Sequence, residues 1–212
     1  MRYQNIIFDL DGVICHTDAY HYQAWKALAD RLGIYFDEEM NNRFRGVSRM
    51  DCLEMLLKNY DRELTDNEKK EFAEEKNNTY RKLLENMSPA DLSPEVSTTL
   101  DALRRKEIRM AIGSSSKNTR YILERIGLGD YFDAVADGNC ISRSKPDPEV
   151  FLKAAQMLGA QPKDCLVVED AVAGIQAAAA GDMDSAAIGD AAKAEFATWK
   201  LVHFSDLLEI VK

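Results

Sequence analysis

Two aspartates, Asp9 and Asp11, stand two residues apart at the end of the apolar run 6–8 and are followed by Gly12. An apolar run that ends at a glycine is typical of a buried parallel strand, in which alternate side chains point the same way. Both carboxylates then lie on one side of the chain, where they repel each other unless a cation or a shared proton separates their roles. The pair is a candidate for acid, base or nucleophile chemistry, and the alternative is an ordinary polar loop.

A polar cluster further along the chain carries groups that bind phosphate. It consists of Ser114, Ser115, Ser116, Lys117 and Asn118. The cluster follows an apolar run and precedes a helical pattern, so hydroxyls, free backbone N–H groups and the positive end of a helix come together there. A helix N-cap with spare serines is the alternative interpretation.

Two later segments could complete a phosphate and metal site. Lys145 precedes a proline-initiated helix, and Glu169 and Asp170 end the apolar run 166–168. Acidic oxygens here and at Asp9 suit Mg2+, a hard cation that prefers oxygen ligands. A solvated lysine and an acidic helix N-terminus are the alternatives. The order of acids, hydroxyls, lysine and acids, each at a strand end, favours a single site.

Alternating strand and helix patterns predict the sheet that positions these residues. After the first strand, strands are predicted at 108–112, 134–136, 165–168 and 185–188, with helices between them. This alternation predicts an α/β fold, a Rossmann-like doubly wound parallel sheet with helices on both faces.

The segment after the first strand carries only helical patterns. Helices are predicted from Thr17 to Leu32, around Leu53 to Tyr60, and from a capping box at Thr65 to about Met87. We therefore predict a helical cap domain, residues 17–88, inserted into a phosphotransfer core formed by residues 1–16 and 89–212.

Composition and charge exclude several classes of protein. The chain has 212 residues, 46% of them hydrophobic and 30% charged, which is typical of a globular protein. Its net charge of −9 argues against nucleic acid or an acidic membrane surface as a partner. The cysteine spacing fits neither a zinc site nor a disulfide framework. Without a spanning apolar run or a signal-peptide layout, the sequence predicts a cytoplasmic protein, and no association pattern argues against a monomer.

The chain resembles the haloacid dehalogenase superfamily and, within it, the β-phosphoglucomutase family. The four superfamily motifs match Asp9-Leu10-Asp11-Gly12, Ser114, Lys145 and Glu169-Asp170. The cap of the mutase family matches at Thr17, His21, Trp25, Gly46, Val47, Ser48, Arg49 and Lys76. The likeness covers nearly the whole chain and extends to residues 88–91 and 116–118.

The resemblance implies a role for each core residue. Asp9 is expected to be the nucleophile that accepts a phosphoryl group, and Asp11 the general acid and base. Mg2+ is the implied cofactor, held by Asp9, the backbone carbonyl of Asp11 and Asp170, with Glu169 in support. The transferring phosphate is expected to be held by Ser114, Ser115 and Lys145.

The resemblance also implies how a second phosphate is held. Arg49, with Ser116, Lys117 and Asn118, is expected to clamp the distal phosphate. His21 and Lys76 are expected to position Asp11 when the cap closes. Thr17, Trp25 and the turn Gly46-Val47-Ser48 are further substrate candidates. The implied reaction interconverts β-glucose 1-phosphate and glucose 6-phosphate through an aspartyl-phosphate enzyme and a sugar 1,6-bisphosphate.

Other functions are compatible with the same motifs. A Mg2+-dependent phosphatase of small sugar phosphates shares every core residue, and Arg49, His21 and Lys76 favour the mutase. A non-catalytic phosphosugar-binding or regulatory protein is disfavoured because Asp9 and Asp11 are both present. His21 and Trp25 could instead be packing residues on an apolar helix face. Cys15-His16, at the expected cap hinge, and Cys52, near the expected sugar site, depart from the family pattern.

Overall fold

The computed structural model describes residues 3–58 and 60–211. Its strands are β1 Asn5–Phe8, β2 Arg109–Gly113, β3 Ala134–Ala136, β4 Cys165–Glu169, β5 Asp184–Ala187 and β6 Trp199–Lys200. They form one parallel sheet in the order β3-β2-β1-β4-β5-β6. The α/β fold with a parallel sheet predicted from the sequence is thus confirmed.

Nine α-helices lie in the described part of the chain. They are α1 Asp18–Leu32, α2 Glu38–Asn42, α3 Arg49–Leu57, α4 Asp66–Leu84, α5 Pro94–Arg105, α6 Thr119–Arg125, α7 Glu149–Leu158, α8 Val172–Ala180 and α9 Leu207–Ile210. Local chemistry sets several of their ends. The predicted capping box is present, with the Thr65 hydroxyl accepting from the Glu68 N–H and the Glu68 carboxylate accepting from the Thr65 N–H. Gly33 ends α1 in the left-handed conformation, as predicted.

Strand β1 lies in the interior of the sheet and is buried on both faces. Ile6 and Phe8 pack in the apolar cluster on one face, whereas Ile7 packs with Phe151 in the cluster on the other. Two buried faces require apolar residues at every position, which explains why the run is continuous rather than alternating. The first aspartate therefore follows a rigid strand.

The helices α1 to α4, residues 18–84, form what we call the helical insert. A third apolar cluster, which includes Trp25, Phe44 and Leu53, holds most of it together. Tyr80 and Leu84 of α4 belong instead to a cluster on the sheet. The insert thus has an apolar core of its own and is also anchored to the sheet, while the division into two domains remains a prediction.

Some elements differ from the sequence-based expectation. Helix α4 ends at Leu84 rather than near Met87, and Tyr60 lies outside α3. Strand β6, with two residues, and the short helices α2 and α9 were not predicted, since such short elements show little periodicity. Within residues 3–58 and 60–211, no helix is both long and apolar enough to cross a membrane.

Candidate active site

The carboxyl ends of β1, β2 and β4 meet at one edge of the sheet. Phe8 is in register with Ile112 of β2 and with Val168 of β4, so Asp9 is level with Gly113 and Glu169, and Ser114 follows one residue later. The backbone N–H of Asp9 donates to the carbonyl of Val168 at 2.9 Å, which continues the ladder past the strand. A cavity of about 960 Å3 covers this edge and separates it from the helical insert.

A fully buried lysine ties the first and last acidic segments together. Lys145 Nζ lies 2.5 Å from Asp9 Oδ1 and 2.6 Å from Glu169 Oε1. Burial alone would lower the pKa of Lys145, but Asp9 and Glu169 raise it above its ordinary value. The ammonium group therefore stays charged, which fits a site that receives phosphate oxygens.

Three carboxylates crowd together beside this lysine. One oxygen each of Asp9, Glu169 and Asp170 lies within 4.8 Å of the others. Burial, together with the charges of Glu169 and Asp9, raises the pKa of Asp170 to about 8. Gly12 makes room for this cluster, since a Cβ there would lie 2.0 Å from Asp170 Oδ2. A compact set of carboxylate oxygens is a donor set that suits Mg2+.

The side chain of Asp11 points away from the acidic cluster. Its Oδ1 accepts a short hydrogen bond from the Thr17 hydroxyl, and its Oδ2 lies 3.9 Å from His21 Nε2. Burial raises the pKa of Asp11 to about 7, the Thr17 hydrogen bond opposes this, and the charges of Asp9 and Asp18 add to it. A carboxyl group of that pKa can both give and take a proton near neutral pH. The family resemblance implies that Asp11 also binds the metal ion. Because its side chain is turned away, its backbone carbonyl is the group left for that role.

The helical insert supplies buried basic groups to the opposite wall of the cavity. Lys76 Nζ lies 2.9 Å from His21 Nδ1 and 4.8 Å from the centre of the Trp25 ring. Burial lowers the pKa of Lys76 to about 7, and burial and Lys76 lower the pKa of His21 well below its usual range. Trp25 is 2% exposed and packs edge-on against Phe44. It is mainly a packing residue that supports Lys76.

The serine-rich loop after β2 forms a third part of the wall. The Ser114 hydroxyl accepts from the Ser116 N–H at 3.2 Å, and the Asn118 amide donates to Asn77 Oδ1 of α4 at 3.0 Å. The buried Ser115 hydroxyl has no hydrogen-bond partner in the described part of the chain. A buried hydroxyl without a partner fits a loop that receives an acceptor such as a phosphate oxygen.

Arg45 bridges the insert and the sheet edge. Its guanidinium forms a short ion pair with Asp18 and lies 3.9 Å from Asp170 and 3.4 Å from Asp190. Its Nε is buried and has no hydrogen-bond partner within the described residues. The one arginine therefore joins the turn before α3 to the acidic cluster and to the loop after β5.

The cavity brings together nearly all the residues singled out from the sequence. They are Asp9, Asp11, His21, Trp25, Gly46, Val47, Ser48, Arg49, Lys76, Ser114, Ser115, Ser116, Lys117, Asn118, Lys145, Glu169 and Asp170. Thr17 differs from its expected placement among substrate residues: it is fully buried and lies behind Asp11, off the cavity wall. Its position at the start of α1, directly beneath Asp11, accounts for this difference.

Among the lining residues that sequence reasoning missed, the ones with side-chain contacts to the site are Asp18, Arg45, Asn77 and Tyr80. Arg45 precedes a glycine turn, and that charge beside Gly46 was a usable signal. Asn77 and Tyr80 lie one and four positions after Lys76 on α4, so Tyr80 shares its helix face. A tyrosine on the apolar face of a helix looks like packing until its hydroxyl partner is known.

Comparison with known proteins adds independent findings. The chain matches the haloacid dehalogenase-like hydrolase family over residues 3–182. It is 40% identical to β-phosphoglucomutase of Bacillus subtilis (strain 168) over 186 residues, 87% of this chain and 82% of that protein. It is 30% identical to a phosphorylated carbohydrates phosphatase of Thermotoga maritima over 176 residues, 82% of this chain and 79% of that protein. The structure of a β-phosphoglucomutase from Clostridium difficile matches with a TM-score of 0.93 and 35% identity, covering 99% of this chain and 95% of that one.

Proposed function

Because this chain belongs to the haloacid dehalogenase-like hydrolase family, we propose that it is a β-phosphoglucomutase, which moves a phosphoryl group between two positions of glucose. The observation that supports the proposal is a single cavity that has reactive carboxylates at one end and a cation for a second phosphate at the other. At the sheet edge, Asp9 and Asp11 form a nucleophile and an acid–base pair beside Lys145. At the insert, Arg49 lines the same cavity and provides a cation for a second phosphate.

The carboxylate cluster fits a bound Mg2+ ion. Asp9, Asp170 and the backbone carbonyl of Asp11 would hold it, and Glu169 would support it through Lys145 and Asp9. The crowding that raises the pKa of Asp170 is relieved by a cation of opposite charge. When bound, the ion reduces repulsion between the Asp9 carboxylate and the phosphate oxygens.

In the first half-reaction, an oxygen of Asp9 attacks phosphorus and the bond between phosphorus and the sugar oxygen breaks. Asp11, in its protonated form, gives a proton to that leaving oxygen, so the sugar departs as an alcohol. Ser114 and Lys145 hold the phosphoryl oxygens as their charge spreads. An aspartyl-phosphate at Asp9 results, and Asp11 is left as a carboxylate.

The second half-reaction reverses these roles at a different hydroxyl. The carboxylate of Asp11 accepts the proton of the attacking hydroxyl, whose oxygen bonds to phosphorus as the bond to Asp9 breaks. Arg49, Ser116, Lys117 and Asn118 hold the phosphate that does not react. The product of this step is a sugar 1,6-bisphosphate. After it turns around in the cavity, its other phosphate enters the first half-reaction, so one phosphate position is exchanged for the other and the aspartyl-phosphate is restored.

A phosphatase of small sugar phosphates is the second candidate, favoured by the similarity to the Thermotoga protein. The two reactions differ in whether water or a sugar hydroxyl takes the phosphoryl group from Asp9. The helical insert covers the sheet edge with His21, Lys76 and Arg49, which supports exclusion of water. The cytoplasmic location and the monomeric state remain predictions.

The test is to incubate the protein with Mg2+, β-glucose 1-phosphate and a trace of glucose 1,6-bisphosphate. Glucose 6-phosphate and inorganic phosphate are measured together, and Asp9→Asn is the inactive control. We expect glucose 6-phosphate to form at least about a hundredfold faster than phosphate. Release of phosphate without glucose 6-phosphate would replace the mutase by the phosphatase.

A further inference from the structure

We propose that Tyr80 is a positioning residue that acts through Thr17 to fix which oxygen of Asp11 carries the catalytic proton. The inference rests on the proposed function, because it concerns the acid–base group of that reaction. Tyr80 lies on α4 of the helical insert, Thr17 precedes α1, and Asp11 follows β1. The three side chains form one hydrogen-bonded chain across the junction between the insert and the sheet.

We call this hydrogen-bonded chain of Tyr80, Thr17 and Asp11 the relay, and its two hydroxyl groups are buried. The Tyr80 hydroxyl donates to Thr17 Oγ1 at 2.9 Å, and the Thr17 hydroxyl donates to Asp11 Oδ1. Tyr80 is 1% exposed and Thr17 is 0% exposed, so water does not reach either hydroxyl. Each hydroxyl must therefore be satisfied within the protein.

The direction of the hydrogen bonds follows from counting protons. Thr17 has one proton to donate, and an ionised Asp11 can only accept, so the Thr17 proton points to Oδ1. Tyr80 must then donate to Thr17. If the bonds ran the other way, Asp11 would have to donate a proton from Oδ1 to Thr17, and Thr17 would donate to Tyr80. The proton of Tyr80 would then have no acceptor in the described structure.

The relay therefore keeps Oδ1 as an acceptor in both protonation states of Asp11. The exchangeable proton is confined to Oδ2, the oxygen that lies 3.9 Å from His21 Nε2. Asp11 lines the cavity, so a proton on that oxygen is presented to the sugar oxygens. Without Tyr80, the Thr17 hydroxyl could rotate, and the proton would divide between the two oxygens.

The ring of Tyr80 is held in place by its neighbours. Its centre lies 4.0 Å from that of His21 and 4.5 Å from Lys76 Nζ. These contacts involve the ring and not the hydroxyl, so Tyr80→Phe preserves them. The substitution thus removes the relay and keeps the packing.

The test compares two phosphoryl donors in wild type and Tyr80→Phe. Transfer to and from a sugar needs Asp11 to move a proton, whereas acetyl phosphate phosphorylates Asp9 with acetate leaving as an anion, without an acid. For Tyr80→Phe we expect kcat for glucose 6-phosphate formation to fall about tenfold with KM unchanged. Phosphorylation by acetyl phosphate should stay within about twofold of wild type.

Tyr131→Phe is the matched control, since the Tyr131 hydroxyl bonds to Asp101 outside the cavity. It should leave both rates unchanged. An unaltered kcat in Tyr80→Phe, or an equal loss with acetyl phosphate, would overturn the inference alone. A wild-type chain that makes no glucose 6-phosphate would overturn the proposed function, and the inference with it.

A double substitution tests whether Tyr80 acts through Thr17. In a Thr17→Val background the relay is already broken, so adding Tyr80→Phe should cause no further loss of kcat. Losses that multiply would show that Tyr80 acts on its own and would overturn the relay.

Discussion

At the residue scale, the site buries more negative than positive charge, with three carboxylates beside one lysine. Lys145 is the cation in direct contact with the acidic cluster, where it pairs with Asp9 and Glu169. Asp170 lies beside both acids, and its closest cation is an arginine 3.9 Å away. Burial and the charges of Glu169 and Asp9 raise the pKa of Asp170, so a proton or a metal ion stabilises the cluster.

Gly12 is the residue that allows this crowding, and Gly12→Ala should abolish it. A methyl group there would lie 2.0 Å from Asp170 Oδ2, and the φ of +84° disfavours any side chain. We expect at least about a hundredfold loss of kcat and weaker Mg2+ binding, because the metal ligand is displaced. Steady-state kinetics and calorimetric titration with Mg2+ measure the two effects.

Gly33→Ala is the control for backbone strain. Gly33 has a φ of +70° with no atom within 4 Å of a Cβ, so Ala there has the strain without the clash. It should lower the free energy of unfolding by about 1 kcal/mol and leave kcat unchanged. Equal activities in the two variants would contradict the role of Gly12.

At the scale of elements, one turn of the insert reaches the acidic end of the sheet. The turn before α3 carries Arg45, which contacts Asp18 of the insert and both Asp170 and Asp190 beyond the sheet. These ion pairs, together with the packing of Tyr80 and Leu84 on the sheet, hold the cations of the insert over the sheet edge. Arg45 is thus well placed to control access of water to Asp9.

Arg45→Ala should increase hydrolysis of the aspartyl-phosphate and so the release of inorganic phosphate. With the bridge gone, the insert opens more often and water competes for the aspartyl-phosphate. We expect the ratio of phosphate released to glucose 6-phosphate formed to rise roughly fivefold. Arg43→Ala is the matched control, because Arg43 forms an ion pair with Glu39 on the surface of the insert. A ratio that rises equally in both variants, or in neither, would argue against the bridge.

The same scale shows what sequence could predict. Elements with many apolar contacts, such as β1, β2 and β4, lie within a residue or two of their predicted bounds. The site prediction rested on the strand ends, because the register places Asp9 level with Glu169 and one residue before the level of Ser114. Thr17 was misplaced and Tyr80 missed because their roles depend on a contact 63 positions apart. No local pattern encodes such a contact.

At the scale of the whole molecule, the acidic site links stability to pH. The folded pKa values of Asp11 and Asp170, about 7 and about 8, exceed the ordinary value of 3.8. Protonation of either group therefore favours the folded state. Their contribution to stability is fully present below the ordinary pKa of 3.8, falls progressively as the pH rises above it, and is gone once the pH has passed about 7 for Asp11 and about 8 for Asp170.

Bound Mg2+ should compensate for the stability that is lost as the pH rises, so the rise in Tm that Mg2+ causes should depend on pH. Below pH 8 the ion must displace a proton from Asp170, which weakens binding about tenfold per pH unit. At a fixed excess of Mg2+, we expect the rise in Tm to be roughly 4 °C larger at about pH 8.5 than at about pH 6.5. Thermal unfolding with and without Mg2+ measures this. Asp170→Asn should show little rise at either pH, and a pH-independent rise would contradict the linkage.

The placement of β1 inside the sheet also sets the order in which the chain can fold. Asn5 pairs with Arg109 on one side and with Cys165 on the other, so both partners are made long after β1 itself. During synthesis, the helices of the insert emerge before β2 and β4 and can fold through short-range contacts. Strand β1 can pair only after those two strands have been made. The insert therefore leaves the ribosome before β1, which precedes the proposed nucleophile Asp9, has a neighbouring strand. A nascent chain cannot carry out phosphoryl transfer until β4 has been translated.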